Sequence, residues 1–179
     1  MPKIKTFLQK DVCTSFVKTL ILLSDFRKMS IEKAIKQDKF KSIYHKLVIN
    51  LTYTGNWVVH QQYETFREFN LTPQQYNVLR ILRGQHPNPM KMNAISERML
   101  DQTSNASRLV DKLLAKKLLV REVCPTDRRA VDVKITEDGL DLLVKIDPLM
   151  EKWEKKLHTI SPEEAAQLNL LLDKLRLLA

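Results

Sequence analysis

The sequence predicts a mainly α-helical protein of the α+β class, and three observations lead to this prediction. Apolar residues recur at helical spacing through most of the chain after Ser30. Two short segments, "LLVREVC" and "AVDVKIT", instead alternate apolar and polar residues, which is typical of half-buried strands. Polar capping residues stand between the helical segments. Several helices and one two-stranded hairpin are therefore expected.

The composition allows a folded domain and points to one basic region. The chain has 179 residues, is 44% hydrophobic and contains 3 glycines, so it can bury an ordinary core as one domain or as one small domain with extensions. The net charge of +9 comes mostly from the first fifty residues, which makes global basicity weak evidence for a nucleic-acid partner. A second surplus lies between Thr103 and Lys134 and is more informative because it coincides with the hairpin.

Residues 1–28 form an N-terminal extension with two open interpretations. The apolar run "FVKTLILLS" is too short to cross a bilayer, is interrupted by Lys18 and lacks a small-residue cleavage site, so neither a membrane span nor a signal peptide is expected. One interpretation is an amphipathic helix that packs on the body or on a partner subunit, and the other is an upstream extension before a natural start at Met29. The helical stripe consists of Leu8, Val12, Phe16, Leu20 and Leu23.

The first helices follow from periodicity and caps. A long apolar stripe begins at Ile43 and runs to about Phe66. In "LTPQQYNVLRIL", Thr72 is an expected N-cap, Pro73 occupies the first helical position and Gln75 completes a capping box. The segment "GQHPNP" breaks the chain, and "MNAISERML" is expected to form a short third helix.

Capping residues also mark the helices expected in the second half of the chain. A fourth helix is expected in "DQTSNASRLVDKLLAKK", with capping residues between Asp101 and Ser104, and the hairpin follows it. Thr136 should cap the next helix, which Pro148 is expected to kink. Ser161, Pro162 and Glu164 repeat the capping-box pattern before a final leucine-rich helix, which is expected to pack across a two-fold interface.

The fourth helix separates an apolar face from a polar one. Ala106, Leu109, Val110, Leu113 and Leu114 follow the spacing of a buried stripe. Small hydroxyls, an amide and a guanidinium remain on the other face, where they could be solvated or could read a major groove. Arginine makes bidentate contacts to guanine, asparagine to adenine, and serine or threonine can meet phosphates or base edges.

The order of the elements decides between these two interpretations. A helix, a short helix, a polar-faced helix and a hairpin with an arginine-bearing loop form the order of a winged helix-turn-helix. In this arrangement the hairpin loop lies beside the recognition helix, and an arginine at its tip can enter the minor groove. Asp127 can orient a neighbouring guanidinium through a charge-assisted hydrogen bond.

Two segments carry a resemblance to a known family. "SNASRLVDKLLAKKLLV" followed by "PTDRRAVDVKITEDG" resembles the MarR family of bacterial transcriptional regulators over roughly residues 40–179. The wing signature is matched by Asp127, Arg129, Thr136 and Gly139, and the helix signature by Ser104, Ser107, Arg108, Leu109, Val110, Asp111 and Leu113. Two positions depart from the family, which usually has glycine at Leu118 and often arginine at Glu122.

The resemblance implies a function and a domain layout. It implies a homodimer that binds a pseudo-palindromic operator, acts as a repressor and releases DNA when a small aromatic or phenolic effector binds. Residues 29–66 and 141–179 would form the dimerisation region, and residues 67–140 the DNA-binding domain. The expected DNA contacts are Thr103, Ser104, Asn105, Ser107, Arg108, Lys112, Lys116, Asp127, Arg128 and Arg129.

Other classes of function have less support in the residues. The histidines lack ligand-like spacing and the two cysteines are far apart, so no metal site, cofactor or disulfide is expected. The protein is expected to work in a reducing, cytoplasmic setting. No nucleophile–base pair or glycine-rich phosphate loop suggests an enzyme. Cys124 is either a strand-end thiol or a redox sensor, and Trp57, His60 and Tyr63 are either core or pocket residues. The alternative function is a non-specific DNA-coating or protein-interaction module.

Overall fold

The computed structural model describes residues 30–123 and 131–177 of the chain. Contacts divide the chain into two compact units, residues 1–58 and residues 59–179. The boundary lies within the first long helix, so this division differs from the functional layout expected from the sequence, which stays a prediction.

The first unit contains a short helix and the start of a long one. Helix α1 (Ile31–Ile35) ends at Lys36, which adopts a left-handed conformation with φ 54°. Helix α2 (Ile43–Arg67) covers the apolar stripe expected from the sequence. In this unit the stripe is largely exposed: Ile43, Tyr44, Leu47, Val48, Leu51, Tyr53 and Trp57 all face solvent in the single chain.

The second unit begins with the end of α2 and with α3 (Pro73–Arg83). The capping box expected at its start is confirmed. The Gln75 backbone N–H donates to Thr72 Oγ1 over 3.2 Å, and the Thr72 backbone N–H donates to Gln75 Oε1 over 3.1 Å. These bonds satisfy backbone donors that a helix otherwise leaves open. Helix α3 buries Tyr76, whose ring stacks on Phe66 with centroids 4.3 Å apart.

The helix-turn-helix elements and the sheet come next. Strand β1 (Met90–Lys91) leads directly into α4 (Met92–Arg98), which is followed by α5 (Ala106–Ala115), β2 (Leu119–Val123) and β3 (Val131–Ile135). The strands form one antiparallel sheet in the order β1-β3-β2. The expected two-stranded hairpin is confirmed as β2 and β3. The sequence did not predict the third strand, β1, because a two-residue strand is too short to show any alternation.

Two helices complete the unit. Helix α6 (Glu137–Glu154) is capped by Thr136 as expected and continues past Pro148, at which a kink stays a prediction. A short 3-10 helix (Lys155–Leu157) follows it. Helix α7 (Pro162–Arg176) begins with the expected capping box between Ser161 and Glu164. All its residues are described, and none of them is buried in the single chain.

The core of this unit holds α5 in place. Val110 and Leu113 of α5 are fully buried with Val133 of β3, Leu143 of α6 and Leu79 of α3. Each such side chain contributes roughly 1.5–3 kcal/mol through burial. The opposite face of α5 is consequently presented on a rigid support.

Candidate nucleic-acid interface

Helix α5 has one buried and one exposed face, as its periodicity predicted. Ala106 and Val110 are buried, whereas Ser107, Arg108, Asp111 and Lys112 are exposed. The helix starts at Asn105, whose side-chain oxygen accepts a hydrogen bond of 3.0 Å from the Arg108 backbone N–H. Asn105 is thus the N-cap, and Thr103 and Ser104 lie in the turn before the helix rather than on it. The amide nitrogen of Asn105 takes no part in the cap and can donate to a group outside it.

The turn between α4 and α5 is organised by Asp101. Its Oδ1 accepts hydrogen bonds from the Thr103 backbone N–H (3.1 Å) and the Thr103 hydroxyl (2.6 Å), and its Oδ2 accepts one from the Ser104 hydroxyl (2.7 Å). The expectation that residues 101–104 cap α5 was wrong, because their side chains bond to one another. From α3, Asn77 Oδ1 accepts a hydrogen bond of 3.0 Å from the Leu100 backbone N–H and ties the turn to the core.

The end of α5 uses a left-handed residue, Lys117, which precedes Leu118, the position where the family usually has glycine. Lys117 has φ 60°, its backbone N–H donates to Leu114 O over 2.9 Å, and the Leu118 N–H donates to Leu113 O over 3.1 Å. These two bonds form a Schellman motif with Lys117 at the position that usually favours glycine. Leu118 itself is buried and begins the path into β2.

Lys116 is turned away from the exposed face of α5. Its ammonium group donates to the backbone carbonyl of Asn70, and its side chain is half-buried. Burial lowers the pKa of Lys116, and the positive charge of Lys112 lowers it further. In this arrangement Lys116 supports the connection between α2 and α3, while Lys112 is the exposed cation of the pair.

The base of the wing is fixed to α5 and α6. Arg121 on β2 forms an ion pair with Asp111 on α5. Where β3 ends, beside the start of β2, the Thr136 hydroxyl donates to Lys117 O over 2.9 Å and accepts from the Gly139 N–H over 3.1 Å. The wing residues expected to contact DNA, Asp127, Arg128 and Arg129, lie outside the described residues, as does Cys124.

Gly139 is required by close packing beside this anchor. A Cβ atom built on Gly139 would lie 2.5 Å from Leu118 O and 2.7 Å from Ile135 Cγ1. Neither neighbour is the free end of a flexible chain, since one is backbone and the other belongs to a buried residue. The threonine and glycine of the hairpin signature therefore hold the strand, α5 and α6 together.

A cavity of about 590 Å³ lies behind α5. It is lined by Tyr63, Glu64 and Arg67 from α2, by residues 70–72 and Gln75, and by Lys112, Ala115 and Lys116 from α5. The Tyr63 hydroxyl lies 3.4 Å from Gln74 Oε1 and the residue is 42% exposed, so Tyr63 is a cavity residue and not a core residue. The cavity therefore combines one aromatic ring with three cationic side chains and one carboxylate.

The described residues hold no group of three or more metal-ligating side chains placed to share an ion. Their helices include none that is long and apolar enough to cross a membrane.

Two features of the site had no signal in the sequence, and a third had one. The bond from Lys116 to Asn70 joins residues far apart in the chain, and Lys117 is not a residue that favours the left-handed region. Asp101 followed by Thr103 does have a local signal, because aspartate commonly bonds to the backbone two residues later. This rule distinguishes residues 101–104, which form a turn, from Asn105, which caps α5.

Comparisons with known proteins agree with this arrangement. A model described as "MarR family" matches residues 69–130. A MarR transcription factor from Planctomyces limnophilus, whose crystal structure is known, is 32% identical, with 75% of this chain and 98% of that chain covered and a TM-score of 0.58. The chain belongs to the MarR family. Two further relatives come from Bacillus subtilis strain 168. The uncharacterised HTH-type transcriptional regulator YkoM is 34% identical over 60% of this chain and 70% of its own length. The HTH-type transcriptional regulator MhqR is 30% identical over 66% of this chain and 81% of its own length.

The residues that match the MarR-family model include part of the candidate site. Residues 69–130 contain α3, α4, α5 and β2, and therefore the exposed face of α5 and the turn at Asp101. In this MarR-family chain, the residue in the left-handed conformation at the end of α5 is Lys117.

Proposed function

We propose that this protein is a sequence-specific DNA-binding transcriptional regulator that acts in the cytoplasm. The observation that carries the proposal is the exposed face of α5, where Ser107, Arg108 and Lys112 project from a helix anchored by fully buried residues. The two Bacillus relatives are named as HTH-type transcriptional regulators, which supports the same function.

The residue types suggest how the groups divide the recognition. Arg108 has the planar fork that pairs with guanine O6 and N7 in the major groove, and Ser107 and Asn105 lie beside it. Lys112 supplies a phosphate contact, which fixes position and carries no sequence information. Asp127 and Arg129, which match the wing signature, and the neighbouring Arg128 remain candidate wing contacts from the sequence, and Arg129 is the candidate for the minor groove.

A homodimer is the assembly we propose for this activity. Helix α7 exposes Leu168 (48%), Leu171 (53%) and Leu175 (39%), together with Ile160 before it (39%). A leucine stripe of this kind on a surface helix is typical of an interface. A two-fold dimer would present two α5 helices to a pseudo-palindromic operator and would act as a repressor where the operator overlaps a promoter.

The cavity behind α5 is the proposed effector site. Tyr63 can stack on an aromatic ring, and Arg67, Lys112 and Lys116 favour a phenolate or carboxylate. Because Lys112 also serves the proposed phosphate contact, an anionic effector would compete with DNA for the same cation. Titration with 4-hydroxybenzoate should release bound DNA from the wild-type protein but not from Tyr63→Ala.

The decisive experiment compares selective and non-specific binding. A duplex selected by this protein from a random library is titrated by fluorescence anisotropy against a scrambled duplex of equal length. Arg108→Ala should weaken binding to the selected duplex by about 1–3 kcal/mol. It should also reduce the ratio of the affinities for the selected and the scrambled duplex. Lys145→Ala is the matched control, because Lys145 is an exposed cation on α6. Equal affinity of the wild-type protein for both duplexes would instead identify a coating protein.

The phosphate contact has its own test. Lys112→Ala should lower affinity for both duplexes about equally and reduce the slope of log K against log salt by about one unit. The sequence predicted DNA contacts for both Lys112 and Lys116, so Lys116→Ala is the comparison. A larger effect from Lys116 would mean that its ammonium leaves Asn70 when DNA binds.

A further inference from the structure

The turn before α5 contains two hydroxyl groups whose hydrogen atoms are already used. The Thr103 hydroxyl donates to Asp101 Oδ1 and the Ser104 hydroxyl donates to Asp101 Oδ2, at 2.6 and 2.7 Å. Thr103 is exposed and Ser104 is half-buried. Both are side chains of the proposed DNA-contacting surface, so the direction of these bonds affects what they can recognise.

The chemistry of the three groups fixes that direction. A hydroxyl has one hydrogen to donate and two lone pairs that accept, whereas an ionised carboxylate can only accept. The hydroxyls of Thr103 and then of Ser104 lower the pKa of Asp101, so its side chain is a carboxylate at neutral pH. Each hydroxyl must therefore donate inward to Asp101 and present only lone pairs outward.

Hydroxyl groups that only accept can form hydrogen bonds only with those groups of DNA that donate. Phosphate oxygens, guanine O6 and N7 and thymine O4 are themselves acceptors and offer no hydrogen to a lone pair. The exocyclic amino groups of adenine N6 and cytosine N4 are the donors of the major groove. A hydroxyl without Asp101 could rotate and serve either kind of partner.

We propose that Asp101 is a positioning residue that makes Thr103 and Ser104 hydrogen-bond acceptors toward DNA, so that they select adenine or cytosine amino groups. This inference rests on the proposed function, since it assigns a base preference to residues of the same DNA-contacting surface. It also gives a reason for a carboxylate close to a polyanion, where its charge alone would weaken binding.

Deleting single amino groups from DNA tests the acceptor role. The probe is the duplex selected by the wild-type protein, in which purine replaces one adenine or 2-pyrimidinone replaces one cytosine at a time. At the contacted position we expect the wild-type protein to lose about tenfold in affinity. Thr103→Val or Ser104→Ala should be insensitive to the same deletion, because the acceptor is gone. Thr103→Ser, which keeps the hydroxyl, should remain sensitive.

Asp101→Asn separates a positioning role from a merely structural one. The amide oxygen must stay opposite the Thr103 backbone N–H, which can only donate, so the amide nitrogen faces Ser104. Ser104 would then accept from the amide and donate outward. We expect reselection with this variant to shift one position from adenine or cytosine toward guanine or thymine, at an unfolding midpoint close to that of the wild type.

The outcomes distinguish the inference from the proposed function. If a selected duplex is bound specifically but every amino deletion affects Thr103→Val, Ser104→Ala and wild type equally, the acceptor role is overturned and the regulator stands. An unchanged base preference in folded Asp101→Asn would overturn the role of Asp101. If no duplex is bound in preference to a scrambled one, the proposed function fails and the inference with it.

Discussion

Replacing Lys117 with glycine should increase the free energy of unfolding by about 0.5–1 kcal/mol. Lys117 has φ 60°, a region that is roughly 1–2 kcal/mol unfavourable for a residue with a Cβ atom. Glycine removes this strain but loses about 0.5–1 kcal/mol more in conformational freedom on folding. The hydrogen bonds that end α5 here are made by backbone atoms, so the substitution leaves them in place.

The measurement is urea unfolding at one fixed protein concentration, because dimerisation would otherwise change the midpoint. Lys117→Ala is the matched control: it removes the same charge but keeps a Cβ in the left-handed region. The glycine variant should unfold at higher urea than the alanine variant, with the same slope. If the two variants were equally stable, the gain would come from the lost charge and the argument from φ would be refuted.

Three further predictions follow from packing, the interface and charge. Gly139→Ala should lower the free energy of unfolding by about 1–3 kcal/mol, because its Cβ would lie 2.5 Å from Leu118 O, and an unchanged urea midpoint would contradict this. A chain that ends before Ser161 should give monomers or aggregates in light scattering, whereas a soluble dimer would place the interface elsewhere. Arg83 and Asp147 form an ion pair in which Arg83 Nη1 lies 2.7 Å from Asp147 Oδ2. A double-mutant cycle should give a coupling energy of about 0.5–1 kcal/mol, because both side chains are partly exposed and solvent screens the attraction. A coupling energy above about 3 kcal/mol would show that solvent does not screen this pair.

The parts of the fold that follow local rules could be predicted from the sequence. The caps at Thr72 and Ser161 depend on residues three positions apart, and both were located correctly. Strand β1 depends on a partner far along the chain, since Met90 and Lys91 pair with Val133 and Asp132. Two residues carry no periodicity of their own, so pairing of this kind becomes visible only in three dimensions.

The candidate site shows the same limit. The exposed face of α5 could be predicted because helical spacing separates Arg108 and Lys112 from the buried stripe. The orientation of Lys116 could not, because it depends on which of several polar groups a flexible side chain reaches, whereas the bond between Asp101 and the Thr103 backbone follows a local rule. Periodicity identifies the face on which a residue lies, but it does not identify its hydrogen-bond partner.

The strand order β1-β3-β2 has a consequence for how the wing opens. Among the described residues, β3 is paired along both edges, with β1 and with β2, whereas β2 is paired along one edge. In hydrogen exchange, the amides of β3 near Val133 should therefore be the slowest of the sheet, and those of β2 that face away from β3 should exchange fastest. Fraying of the hairpin would then begin with β2, and β3 would retain its connection to the start of α4 while the outer strand separates.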